Sequence, residues 1–124
     1  MKKKIRQIIV GEKEYVFVIN KQYNQGVSEI SLSISLKKLK NMTCSFHFCT
    51  WDDPITGSPL LVGITLRKIG TSDTENFNLH YPRIVKHFIQ YGLENGWNVA
   101  NRTVFNDGLE ILSKFGYDVI PLKP

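Results

Sequence analysis

No apolar run in this chain approaches the roughly 18 residues that a membrane-spanning helix requires, so a helical membrane protein is excluded. Glycines occur singly along the sequence, with neither GxGxxG nor a Walker A loop, which removes the phosphate cradles built from clustered glycine. Cysteine is scarce: Cys44 and Cys49 lie five apart in a strand-like run. That odd offset puts them on opposite faces, and five extended residues span about 16 Å, too far for a disulfide. Reduced thiols, as in a cytosolic protein, are the expectation. A basic start precedes Ile5, Ile8, Ile9 and Val10, but Arg6 and Gln7 interrupt it and Gly11, Glu12, Lys13 and Glu14 end it, unlike a signal peptide. The expected location is therefore the cytoplasm.

Excess charge of one sign is also small. The formal charge is +5, and three of the positive side chains are Lys2, Lys3 and Lys4, at a terminus where solvated ends are common. With 42% hydrophobic and 22% charged residues and no biased tract, the composition is globular rather than disordered or fibrous. A chain of 124 residues fits one α+β domain over residues 1–124, able to bury roughly two-thirds of its unfolded surface.

What is present is period-two alternation followed by helical periodicity. Ile5 to Val10 and Tyr15 to Ile19 flank a Gly-containing turn and read as a hairpin. Glu29 to Leu36 alternates strictly, with Ile30, Leu32, Ile34 and Leu36 on one face and Ser31, Ser33 and Ser35 on the other. Met42 to Thr50 repeats this, with Cys44, Phe46 and Phe48 opposed to Thr43, Ser45, His47 and Cys49. Such alternation predicts an antiparallel sheet with one buried face. Leu60 to Ile69 reads as a fifth strand, and Thr71 to Asn78, polar and aperiodic, as a loop. From Leu79 to Asn95, Tyr81, Ile84, Val85, Phe88, Ile89 and Gly92 share one helical arc, with Pro82 suited to the first turn and Gly96 to the stop, so that Trp97 folds back on the last turn. A strand-helix-strand unit is predicted to follow: Val99 to Phe105, Asp107 to Phe115 with Asp107 and Glu110 as a capping box, then Tyr117 to Leu122.

Few residues point to chemistry. His47 and Cys49 share a strand face, but a structural zinc needs four ligands and a catalytic one three, so no metal is expected. His80 and His87 lie at the edge of the helical arc without a nucleophile at helical spacing, and no catalytic set emerges. Asp52 and Asp53, adjacent in a polar loop, lack the dry surroundings that would hold one carboxyl neutral. Lys37, Lys38 and Lys40, with Arg67 and Lys68, offer a basic face for single-stranded nucleic acid, although charges between strands commonly serve to guard sheet edges. The most conspicuous feature is the loop opened by Trp51, Asp52 and Asp53 and held by Pro54, Gly57 and Pro59. Loops host binding sites, and Trp is the residue type most enriched at interaction hot spots.

Two resemblances add to this. Ile8-Ile9-Val10-Gly11 and Tyr15-Val16-Phe17-Val18, with Pro82, Val85, Ile89 and the closing Gly96-Trp97, resemble small bacterial proteins built from a hairpin, an open sheet and a proline-started helix ending in Gly-Trp. That resemblance carries no activity and implies no cofactor. Phe105-Asn106-Asp107-Gly108-Leu109-Glu110-Ile111-Leu112 to Phe115-Gly116-Tyr117 resembles the last helix and strand of GNAT-type acetyltransferases, which implies acetyl-coenzyme A. Those enzymes hold the pyrophosphate on a glycine-rich turn leading into a helix, whereas here Asn76 to Pro82 contains no glycine. The sequence therefore points first to a non-enzymatic protein-interaction module, accessory or immunity-like, binding through Trp51, Asp52 and Asp53. A small-ligand or acetyl-coenzyme A enzyme comes second and a nucleic-acid binder third.

Overall fold

A computed structural model describes residues 5–124; Lys2, Lys3 and Lys4 lie outside the described residues. The chain opens with an antiparallel meander, β1 (Arg6–Val10), β2 (Lys13–Asn24), β3 (Val27–Leu36) and β4 (Cys44–Trp51). The β2–β3 turn consists of Gln25 and Gly26, both at positive φ (51° and 87°), the two-residue geometry whose twist matches that of the flanking strands. It sets the register that places Asn20 opposite Ser31 and Lys21 opposite Ile30.

Alternation decides which face is buried. Tyr15, Phe17, Ile30, Leu32, Ile34, Cys44, Phe46 and Phe48 point into the core. Helix α2 (Pro82–Glu94) lays Ile84, Val85, Phe88 and Ile89 onto them. Each such large apolar side chain contributes about 1.5–3 kcal/mol on burial. Pro82 occupies the first turn of α2, where no N–H is required. Gly96, at φ 112°, lets the chain leave the helix, and Trp97 folds back with its backbone N–H donating to Gly92 O. Gly92 lets the helix approach closely: a Cβ there would sit 2.9 Å from Cys44 Sγ. Cys44 is buried, which pushes its thiol up to about 12, while Cys49 on the opposite face is exposed.

The sheet is mixed rather than purely antiparallel. After α2 the chain returns as β7 (Thr103–Phe105), which pairs parallel to β4 and completes the order β1-β2-β3-β4-β7. A helical crossover delivers a strand in the parallel sense, as it does here. The expected Val99–Phe105 strand is shorter because residues 98–101 are held in a turn. Asn98 N–H donates to Asn101 Oδ1, Ala100 N–H donates to Asn98 Oδ1, and Val99 sits at φ 62°. Helix α3 (Gly108–Lys114) follows, with the Asp107 carboxylate accepting from Glu110 N–H as the capping pattern predicts.

Three further expectations are corrected. Leu60 to Ile69 is not one strand: Ser58 caps and Pro59 opens a single helical turn, α1 (Pro59–Val62), which Gly63 ends at φ 104°. Only Ile64–Arg67 remains extended, as β5, and it joins a separate two-stranded sheet instead of the main one. Its partner is β6 (Thr74–Phe77), inside the segment read as a loop; only Phe77 in it is apolar, too little for a periodic signal. Tyr117 to Leu122 is likewise no strand. Tyr117 makes one bridge to Lys68, and Asp118 then accepts from Ile120 N–H ahead of a 3-10 turn at Ile120–Leu122.

The small sheet, α1 and α3 contribute Leu60, Leu66, Phe77, Ile111 and Leu112 to the same core as the main sheet. The opposite face carries half-buried Ser31, Ser33 and Ser45 and exposed Glu29, His47 and Cys49. Among the described residues, no helix is long and apolar enough to cross a membrane.

Candidate functional site

Two regions merit a functional reading, and they meet on β4. The first is the loop after this strand. Trp51 is 37% exposed, and its indole N–H donates to Pro121 O at 2.6 Å, which ties the end of β4 to the C-terminal 3-10 turn. Asp52 turns inward: its side chain is only 6% exposed, accepts from the Ser28 hydroxyl and lies 2.9 Å from Lys21 Nζ. The Ser28 hydrogen bond first, and the Lys21 ammonium second, hold its carboxyl below the usual range. Asp53 accepts from Ile55 N–H and Thr56 N–H, closing an Asx turn that also lowers its own carboxyl. The two aspartates thus brace the loop, and Trp51 with Ile55 forms its outward surface.

The Asp52 anchor has a pH signature. Because its carboxyl is depressed in the folded state, its stabilisation is present above the unfolded value of about 4 and is lost as pH falls through the lower folded value. Asp52→Asn is expected to lower Tm at about pH 7, with the difference from the native protein closing towards about pH 2, as thermal unfolding across that range would read. An equal Tm difference at both ends of the range would show that the charge contributes nothing.

The second region is a groove of about 520 Å³ on the sheet face opposite the core, lined by Asn20, Gln22, Glu29, Ser31, His47 and Cys49 together with Asn106. Register assembles it: Asn20 lies opposite Ser31, Ser31 opposite His47, and Glu29 opposite Cys49. β7 accompanies β4 only from Cys44 to Phe46, so the groove opens where the two parallel strands part, His47 and Cys49 on one side and Asn106 on the other. Asn20 Oδ1 is buried there without a hydrogen-bond partner. Sequence reasoning found His47 and Cys49 but missed Asn20, Gln22, Glu29, Ser31 and Asn106. The detectable signal was the Gln25-Gly26 turn, whose two-residue length fixes the β2–β3 register.

The other singled-out residues serve elsewhere. The His87 ring packs 5.6 Å from that of Phe115. His80 is partly buried, which lowers its pKa, with the charge of Arg6 adding to the effect. Arg67 pairs with Asp118, Lys68 with Glu75 and Lys37 with Glu14, which neutralises part of the basic face. Glu75 also meets Arg83 and accepts from the Tyr117 hydroxyl, which first of all holds its carboxyl below the usual range, and so ties β6 to the C-terminal segment. Among the described residues, no group of three or more His, Cys, Asp or Glu side chains is placed to hold a metal ion. Neither a protein-family model, nor a curated protein, nor a solved structure matches the chain.

Proposed function

We propose that the chain is a non-enzymatic binding module of bacterial type, accessory or immunity-like and working in the cytoplasm, that engages another protein through the Trp51 end of its sheet. The observation that carries this reading is the set of apolar side chains left in solvent on the loop after β4 and on the C-terminal turn bonded to it. Ile55 is 93% exposed and Ile120 72% exposed, and the Trp51 indole is bonded to the residue after Ile120. An aromatic side chain beside exposed aliphatics on a braced loop is the anchor type that dominates interfaces. Asp52 and Asp53 act as its supports, so ordering the loop costs little on binding.

Affinity capture with the tagged native protein, Trp51→Ala and Ile55→Lys tests this. A protein retained by the native form and lost from both variants is the expected result, with Ile55→Lys unfolding at the native temperature and Trp51→Ala, which gives up the bond to Pro121, still unfolding in one cooperative step. Equal recovery by all three would sink the reading. A second reading, a small-ligand or coenzyme A-dependent enzyme, is favoured by one observation: parallel strands part beside a groove, the position where open α/β sheets bind ligands. Stabilisation of the fold by coenzyme A would favour it over the first.

A further inference from the structure

The geometry points to a second binding site, independent of the Trp51 surface: the groove where β4 and β7 part takes the guanidinium or alkylammonium end of a small molecule. Its volume of about 520 Å³ falls within the range of roughly 300–1,000 Å³ typical of small-ligand sites. Three features select the ligand's chemistry. Asn20 Oδ1 is buried at the groove without a partner, an acceptor left unsatisfied until a donor arrives. Glu29, on the groove wall, joins none of the five ion pairs among the described residues, so its carboxylate is available to a cation. Lys21, the lysine of the lining, has its ammonium engaged by Asp52 at 2.9 Å and does not compete.

A carbonyl-type acceptor and a carboxylate on adjacent strands suit a group that offers several N–H donors and a positive charge, which is what guanidinium supplies. The Ser31 hydroxyl, between Asn20 and His47 in the register, adds an acceptor. A small molecule is favoured over a basic protein surface because the whole chain carries +5, which opposes the approach of a second highly basic body far more than that of a single cation.

Butylguanidinium and its neutral isostere butylurea, titrated into ¹⁵N-labelled protein, test the site. Butylguanidinium is expected to shift the Asn20 side-chain amide and the backbone amides of Glu29 and His47 with Kd on the order of 1 mM, about tenfold tighter than butylurea. Glu29→Gln is expected to weaken it about tenfold while leaving the rest of the spectrum in place, and Asn20→Ala to do the same. No movement of these signals at about 50 mM probe, equal response to butylurea, or unchanged affinity in Glu29→Gln overturns the site. An arginine-containing tetrapeptide binding more than about tenfold tighter than butylguanidinium would overturn the small-molecule assignment in favour of a protein side chain.

Discussion

Phe46→Ala is expected to lower the unfolding free energy by about 3–5 kcal/mol, the range for emptying a fully buried aromatic site. Phe46 is wholly buried at the point where β4, β7 and α2 meet. Its ring stacks on Phe105 at 5.0 Å and meets the Phe88 ring edge-on at 4.8 Å. Removing it empties the last paired position of the parallel seam. The ladder of the three-residue β7 ends at this same pair, and the Phe105 ring then keeps only the edge of Tyr91 among its aromatic neighbours. Thermal unfolding of the variant is expected about 10 °C or more below the native protein, and a shift under about 3 °C would mean that the seam collapses around the gap. Hydrogen exchange should also rise selectively at Thr103 to Phe105.

Gly108→Val is expected to cost about 3 kcal/mol, although replacing glycine inside an exposed helix normally gains stability. The reason is contact. A Cβ on Gly108 would lie 2.3 to 2.8 Å from three carbons of the Phe48 ring, so either the ring or the start of α3 must move. Phe48 is confined in turn by Phe88, whose ring stands at 87° to it with centroids 5.5 Å apart. The overpacking penalty therefore exceeds the propensity gain of valine over glycine, about 0.5 kcal/mol or less. In a double-mutant cycle, Phe48→Ala should remove most of the penalty of the valine, giving a favourable coupling above about 1 kcal/mol. Additive losses would place the strain in the backbone of α3 and not in its contact with Phe48.

Much of this architecture was legible in the residues. Ile30, Leu32, Ile34 and Leu36 against Ser31, Ser33 and Ser35 identified β3 and its buried face, since side chains alternate across any strand. Pro82, Gly96 and the apolar arc between them located α2 to within a few residues, because capping and periodicity are local properties. Asp107 and Gly116 did the same for α3. Local signals misled where two of them competed or where a tertiary partner decided the outcome. Leu60, Leu61 and Val62 look like strand but follow a capping Ser58 and Pro59, and Thr74 to Phe77 is extended only because β5 lies beside it.

The site divides in the same way. The sequence by itself determined that Cys44 and Cys49 face opposite sides, that His47 shares a face with Cys49, and that Trp51 opens a turn-rich loop; each follows from spacing along a single strand. Only the tertiary structure decided that Asp52 turns inward to Ser28 and Lys21, that Pro121 receives the Trp51 indole, and that Asn20, Glu29 and Asn106 converge beside His47. Those contacts join residues from different strands and from the C-terminal turn. They depend on strand order and on the parallel return of β7, which are set by how the helices bury their apolar faces against the sheet, a property of the packed chain and not of any one segment.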